Sequence, residues 1–212
     1  MPARQRSSAP RQGADRDARG GRRMSARDLA LVASFAAFIV VLGMPGALFA
    51  GSPVPITLQT LGVMLAGALL GWRRGALAVL VVIALCAVGL PVLAGGRGGL
   101  GVFASPTVGF LVGWVPGVIV TGAILERARR LSPPVVFGAI LLGGLLVIHV
   151  FGVAGMMARA DLSLQAALLA DAAFVPGDLV KAVLATMAAL TVYRAMPDLL
   201  PRSAGASARA TS

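Results

Sequence analysis

The apolar residues of this chain fall into long blocks set side by side, a pattern that a bilayer requires and a soluble core does not. A spanning helix takes roughly 20 predominantly apolar residues, and blocks of that kind follow one another from Leu29 to Arg194. Of the 212 residues, 58% are hydrophobic and 13% charged, against about 25% charged in a soluble domain. No separate soluble domain fits. The expected fold is all-α, a polytopic membrane protein with six transmembrane helices, because only helices or closed barrels satisfy their backbone in lipid. The expected spans cover residues 29–49, 56–71, 75–93, 106–125, 133–157 and 176–194. Pro45 kinks or ends the first, Pro91 lies near the end of the third, and Pro176 takes a favoured first helical position in the last. A short link, residues 50–55, joins the first two spans. Residues 94–105 read as a loop from Gly95, Gly96, Gly98, Gly99 and Gly101. Residues 158–175 read as a link carrying a short amphipathic helix over 162–170.

The placement of charge decides how a net charge of +11 is read. Eight arginines precede Leu29, in a stretch rich in Ser, Ala, Gly and Pro that buries too little apolar surface to fold. Residues 1–27 are expected to be a disordered basic cytoplasmic tail, residues 28–195 a six-helix substrate-binding membrane domain, and residues 196–212 a disordered cytoplasmic tail. Attraction to anionic membrane lipid accounts for the basic tail. Nucleic acid is not an expected partner, since no aromatic interleaving or binding fold accompanies the charge. The apolar segment from Leu29 lacks a convincing small-residue cleavage site and runs into further spans, so it reads as a retained helix rather than a signal peptide. With six spans, Arg73, Arg74, Arg127, Arg129, Arg130, Arg194, Arg202 and Arg209 fall on the side of the N-terminal arginines, and only Arg97 and Arg159 flank spans on the other. Positively charged flanks face the cytoplasm, so both termini are expected there, in a multi-pass protein of the cell membrane.

Four groups of residues carry candidate chemistry. Asp178 and Lys181, in Pro176-Gly177-Asp178-Leu179-Val180-Lys181, sit inside a span, where ionisable groups are costly and mark function. Their spacing puts both on one helix face, as an internal ion pair, a snorkelling lysine, or a site for a zwitterionic or carboxylate-bearing solute. The glycine-rich loop, with Arg97, Gly98, Gly99 and Gly101 leading to Ser105, Pro106 and Thr107, lets a ligand approach backbone or is a flexible surface loop. It lacks the phosphate-binding Gly-x-x-x-x-Gly-Lys-[Ser/Thr] pattern, so the chain is not expected to hydrolyse ATP itself. Thr57, Gln59 and Thr60 open the second span. The threonines can bond backbone carbonyls, and Gln59 can bond a ligand or another helix. On the first span, Ala26, Ala30, Ala33 and Ala37 with Ser34 alongside form a small-residue face that allows close helix approach, toward a partner or within the chain.

Cys86, the single cysteine, lies in an apolar run and can form neither an internal disulfide nor a metal cluster. His149, the single histidine, lies deep in the fifth span. It is read as a neutral hydrogen-bonded core residue or as a base for a Ser105 nucleophile. No nucleophile elbow and no HExxH pair supports the enzyme reading. No catalytic residue, metal or cofactor is expected.

Together the runs Pro55-Ile56-Thr57-Leu58-Gln59-Thr60, Gly98-Gly99-Leu100-Gly101 leading to Pro106-Thr107, and Pro176-Gly177-Asp178-Leu179-Val180-Lys181 resemble, in order and spacing, the BioY family of biotin-specific substrate-binding (S) components of energy-coupling factor (ECF) transporters. The resemblance covers about residues 24–194. Where family members often carry Gly-Pro-Thr-Gly-Gly, this chain has Ser105-Pro106-Thr107-Val108-Gly109, which changes the loop shape. The resemblance implies a vitamin importer subunit that captures biotin from outside and works with a transmembrane energy-coupling subunit and cytoplasmic ATPases. It implies substrate binding by Asp178, Lys181, Gln59, Thr57, Arg97, Gly98, Gly99, Gly101, Pro106 and Thr107. Asp178 or the Gln59 carbonyl suits the ureido N–H groups of biotin, and Lys181 or Arg97 its carboxylate. The face of Ala30, Ala33 and Ala37 is the expected partner interface. A stand-alone secondary transporter or channel for a small carboxylate-bearing solute is the alternative.

Overall fold

A computed structural model describes residues 24–45 and 57–196. The expected tails, the end of the first expected span beyond Pro45, the link 50–55 and the Pro55–Ile56 start of the run that ends at Thr60 lie wholly or largely outside these residues. Among the described residues the chain is helical, with no named strand and a single antiparallel bridge, Leu93 with Arg97. Helix α1 spans Ala26–Val41. Helix α2, Gln59–Leu65, runs through a π-helical turn, Ala66–Leu70, into α3, Gly71–Ala87. A 3-10 turn over Leu100–Ala104 leads to α4, Val108–Arg127. Helix α5, Pro133–Ile140, continues through a second π-helical stretch, Leu141–Val147, into α6, Ile148–Ala160. Helices α7, Leu164–Ala172, and α8, Val175–Ala195, complete the bundle. Among the described residues, four stretches are long and apolar enough to cross a membrane: Gln59–Ala87, Val108–Arg127, Pro133–Ala160 and Val175–Ala195.

The first of these is not straight. Gly71 takes φ 78° and ψ −179°, a conformation open to glycine and outside the helical region. A Cβ placed on Gly75 would lie 2.7 Å from the Ala66 carbonyl oxygen, whereas a straight helix would separate the two residues by about 13 Å along its axis. The chain therefore doubles back at Gly71. On α4, Glu126 accepts the Trp72 backbone N–H at 3.1 Å, which satisfies a donor that the break leaves open.

That end of the bundle is tied together by charge. Ser25 and Asp28 form a capping box at the start of α1, with Ser25 N–H donating to Asp28 at 3.0 Å and Asp28 N–H donating to the Ser25 hydroxyl at 3.1 Å. The Asp28 carboxylate also meets Arg74 at 2.9 Å. The backbone N–H of Ser25, then its hydroxyl and the Arg74 charge, hold the Asp28 carboxyl below the ordinary carboxylate range. Nearby, the Tyr193 hydroxyl donates to the Ala68 carbonyl, in the first π-helical turn, where i→i−4 bonding is interrupted.

Helix α4 is the central element. It packs on α3 on one side and α6 on the other, and these contacts rest on glycine. A Cβ on Gly109 would fall 2.0 Å from the Phe151 carbonyl and 2.9 Å from Gly155 Cα, so two backbones touch where a side chain would separate them. Several expected boundaries shift. Helix α1 ends at Val41, before Pro45, and α3 ends at Ala87, well before Pro91, because Gly89 adopts a positive φ of 101°. The fifth expected span extends to Ala160, and the short helix of the following link is Leu164–Ala172 with Ser163 as its N-cap.

Candidate solute-binding site

The bundle opens into a cavity of about 90 Å³ at the end opposite the Asp28–Arg74 contact. It is built where four segments converge. The start of α2 supplies Thr57, Gln59 and Thr60. The glycine-rich loop supplies Leu93, Arg97 and Val102. The first turns of α4 and the residue before it supply Thr107, Phe110, Leu111 and Trp114. The start of α8 supplies Phe174, Asp178 and Lys181. An apolar wall with a few convergent polar groups suits a small solute of mixed character.

The acidic and basic groups on α8 form one network. Lys181 Nζ donates to Asp178 Oδ1 at 2.7 Å and to the Thr60 hydroxyl at 3.0 Å, and that hydroxyl donates to Asp178 Oδ1 at 3.0 Å. Asp178 and Lys181 are each only 5% exposed, so each needs the other. Thr60 is therefore a bridge between α2 and α8, where its sequence position equally suggested bonding to its own helix. The second Asp178 oxygen, Oδ2, faces His149 Nε2 at 3.0 Å, and His149 Nδ1 faces Asp171.

Donors outnumber open acceptors at the wall. Lys181 has three protons and two partners among the described residues. The Arg97 Nε donates to the Ala94 carbonyl at 3.3 Å, which uses one of its five N–H groups. Trp114 is 6% exposed, and its indole N–H has no acceptor among the described residues. A buried donor in that state is available to a bound acceptor.

Of the sequence-derived site residues, Thr57, Gln59, Arg97, Thr107, Asp178 and Lys181 line the cavity, and Gly98, Gly99, Gly101 and Pro106 do not. Those glycines shape the loop. The Gly98 Cα is packed so closely on the Leu90 carbonyl that a Cβ would lie 2.1 Å from it, and Gly99, at φ 82°, donates its N–H to the Cys86 carbonyl at 2.7 Å. Gln59 lines the wall but spends its amide inside the protein, donating to the Val92 and Ile39 carbonyls at 3.0 and 3.4 Å and accepting the Ala94 N–H at 2.9 Å. Its side chain thus ties the loop to α1 and α2, and the carbonyl, which accepts the Ala94 N–H, keeps a second lone pair.

The sequence did not single out Leu93, Val102, Phe110, Leu111, Trp114 or Phe174, and it passed over Asp171. The Ser105–His149 pairing does not form: the Ser105 hydroxyl donates to the Val102 carbonyl at 2.7 Å, and both His149 nitrogens face carboxylates. Among the described residues no cluster of metal-ligating side chains occurs. Ala30, Ala33, Ser34 and Ala37 are exposed along α1, while Val32, Ala36 and Ile39 on the opposite side are buried.

Residues 15–198 match the model of the BioY family. The chain belongs to the BioY family. This BioY chain is 50% identical over 184 residues to the biotin transporter BioY of Rhodobacter capsulatus, a match that covers 82% of this chain and 97% of that one. It is 49% identical over 188 residues to the biotin transporter BioY of Rhizobium etli, covering 85% and 100%. Its fold resembles the crystal structure of the S-component for biotin from an ECF-type ABC transporter, with a TM-score of 0.74 at 30% identity over 81% of this chain and 95% of that one. A BioY chain is a transporter component, so the hydrolase reading is set aside.

Proposed function

We propose that this BioY chain is the biotin-binding S component of an ECF importer in the cell membrane, capturing biotin from outside for inward delivery. The cavity carries the reading, since it joins Thr57 and Gln59, Arg97 and Thr107, and Asp178 and Lys181 around one apolar space. Biotin has an apolar thioether ring and chain between two polar ends, a ureido group and a carboxylate. Phe110, Leu111, Val102 and Phe174 suit the apolar middle. The carboxylate and the ureido carbonyl are acceptors, and they match the third proton of Lys181, the Arg97 guanidinium and the Trp114 N–H. Asp178 serves chiefly to hold Lys181, with lone-pair capacity left for one ureido N–H.

The same proposal includes six spans with both termini cytoplasmic. The doubling back at Gly71 supports dividing Gln59–Ala87 into two spans, and α1 supplies the first. The arginines at Arg73, Arg74, Arg127, Arg129 and Arg130 gather near the Asp28–Arg74 end, while Arg97 lies at the cavity end, as expected for a cavity open to the outside. Energy enters from a transmembrane coupling subunit and cytoplasmic ATPases. The exposed alanine face of α1 supports a helix-to-helix contact with the coupling subunit.

The deciding experiment is equilibrium binding of labelled biotin to the purified full chain in detergent or nanodiscs. Saturable binding that excess unlabelled biotin displaces is expected. A folded protein that binds no biotin would refute the proposal.

A further inference from the structure

Behind the cavity wall lies a second layer of charge that the binding reading does not use. His149, on α6, stands between two carboxylates. Its Nδ1 lies 2.8 Å from Asp171 Oδ1 and 2.9 Å from Oδ2, of which only Oδ2 is aligned as a hydrogen bond, and its Nε2 lies 3.0 Å from Asp178 Oδ2. Asp171 comes from α7 and Asp178 from α8, so one imidazole joins three helices. All of it is buried: His149 is 5% exposed, Asp171 7%, Asp178 5% and Lys181 5%. Neither His149 nor Asp171 lines the cavity. Phe110, a wall residue, packs against the imidazole with ring centroids 5.8 Å apart and planes at 83°.

Hydrogen-bond parity limits the protonation state. An ionised carboxylate only accepts, and a neutral imidazole has one donor nitrogen and one acceptor nitrogen. Between two ionised carboxylates a neutral ring would set a lone pair against an anionic oxygen at hydrogen-bond distance. A ring protonated at both nitrogens donates to both. Charge gives the same answer. Asp171 and Asp178 carry two negative charges, and Lys181 with a protonated His149 carries two positive, so the buried group is neutral as a whole. The other charged side chains on or against α6, Arg159 and the C-cap Asp161 at its end and Glu126 and Arg127 at the far end of α4, lie at helix termini.

We infer that Asp171 and a doubly protonated His149 form a buried positioning relay that holds Asp178, and through it Lys181, in ligand-binding geometry. The inference deepens the biotin-binding reading and rests on it for its functional half. His149 and Asp171 are positioning residues, and they act on the ligand only through Asp178 and Lys181.

The test uses the fact that the chain has one histidine. Full-length protein labelled with 15N-histidine gives a single imidazole signature in NMR, which reports both ring nitrogens directly. At neutral pH both are expected to carry protons; one protonated and one bare nitrogen would overturn the relay. Asp171→Asn should convert the ring to its neutral form, because the amide can donate to Nδ1; a ring that keeps both protons would overturn the relay. His149→Gln should weaken biotin binding by at least about tenfold, since it leaves two buried carboxylates against one lysine. The double variant His149→Gln/Asp171→Asn removes one charge of each sign and should recover to within about threefold of the starting protein. Residues that merely pack would give a double variant no better than His149→Gln, and that result also overturns the relay. Should His149→Gln fail to purify folded, recovery of monodisperse protein by the double variant is read in its place. If the unmodified chain binds no biotin, the functional reading fails while the NMR signature still decides the relay.

Discussion

Replacing Lys181 with methionine separates the energy of the ion pair from that of the ligand contact. Lys181→Met keeps most of the stem and removes the charge. In the free protein Asp178 loses its 2.7 Å partner but keeps Thr60 and His149, each at 3.0 Å. Breaking a buried pair costs about 3–5 kcal/mol, and the retained partners place the expected loss of stability near ~3 kcal/mol. Binding is hit separately. If the third proton of Lys181 meets the biotin carboxylate, the lost charge-assisted bond is worth about 1.5–3 kcal/mol, or roughly 10- to 150-fold in Kd. Titration calorimetry with biotin and with biotin amide, alongside thermal melts, reads both terms. The starting protein should prefer biotin to the amide, and Lys181→Met should bind the two alike. A Kd for biotin within about threefold of the starting value would remove Lys181 from the site. A preserved preference for biotin would move its carboxylate to another cation, of which Arg97 is the one at the wall.

Trp114→Phe deletes the unpaired indole N–H and should weaken biotin binding by roughly tenfold, the value of one hydrogen bond of about 1–1.5 kcal/mol; unchanged affinity in calorimetry would assign that donor elsewhere. In a Cys86→Ala background, Gly101→Cys should react with an impermeant thiol reagent from outside intact cells and Arg129→Cys should not, the reverse pattern overturning the topology. Gly101 is chosen because its Cβ position is open, whereas a side chain at Gly98 would meet the Leu90 carbonyl at 2.1 Å. Ala33→Trp/Ala37→Trp should abolish ATP-dependent uptake and co-purification of the coupling subunit while biotin still binds the isolated chain. Normal uptake in that variant would leave the exposed α1 face to lipid alone.

The all-helical fold and its four long apolar stretches were legible because lipid imposes a simple rule on composition. Asp178 and Lys181 were legible for the same reason, since a charge inside an apolar run stands out. Trp114 and Phe110 were hidden by that rule, because an aromatic residue in a membrane span reads equally well as facing lipid, and Phe174 was hidden in the link before the last span. Asp171 was hidden because its segment reads as a surface link, and only the packing of α7 against α6 brings it to 7% exposure. The glycine-rich loop misled in the other direction. Its glycines read as a ligand cradle, but the close contact of Gly98 on Leu90 and the φ of 82° at Gly99 serve the turn itself. Gln59 was visible as costly to bury, but the three backbone groups it satisfies come from segments far apart in sequence.

The π-helical stretch at Leu141–Val147 lies just before His149. A π turn holds one residue more than an α turn, so it rotates everything after it by about 100° relative to a regular helix. The meeting of His149 with both carboxylates thus depends on residue count as well as on residue type. Deleting one amino acid between Leu141 and Val147 would remove the extra residue and the extra width together, so the regular helix left behind would still carry His149 on the face toward Asp178. For a lineage carrying this sequence, an in-frame loss of a single codon in the regular α5 helix, which turns His149 by about 100°, is a heavier lesion than the same loss in the π-helical stretch, where the wide turn absorbs it.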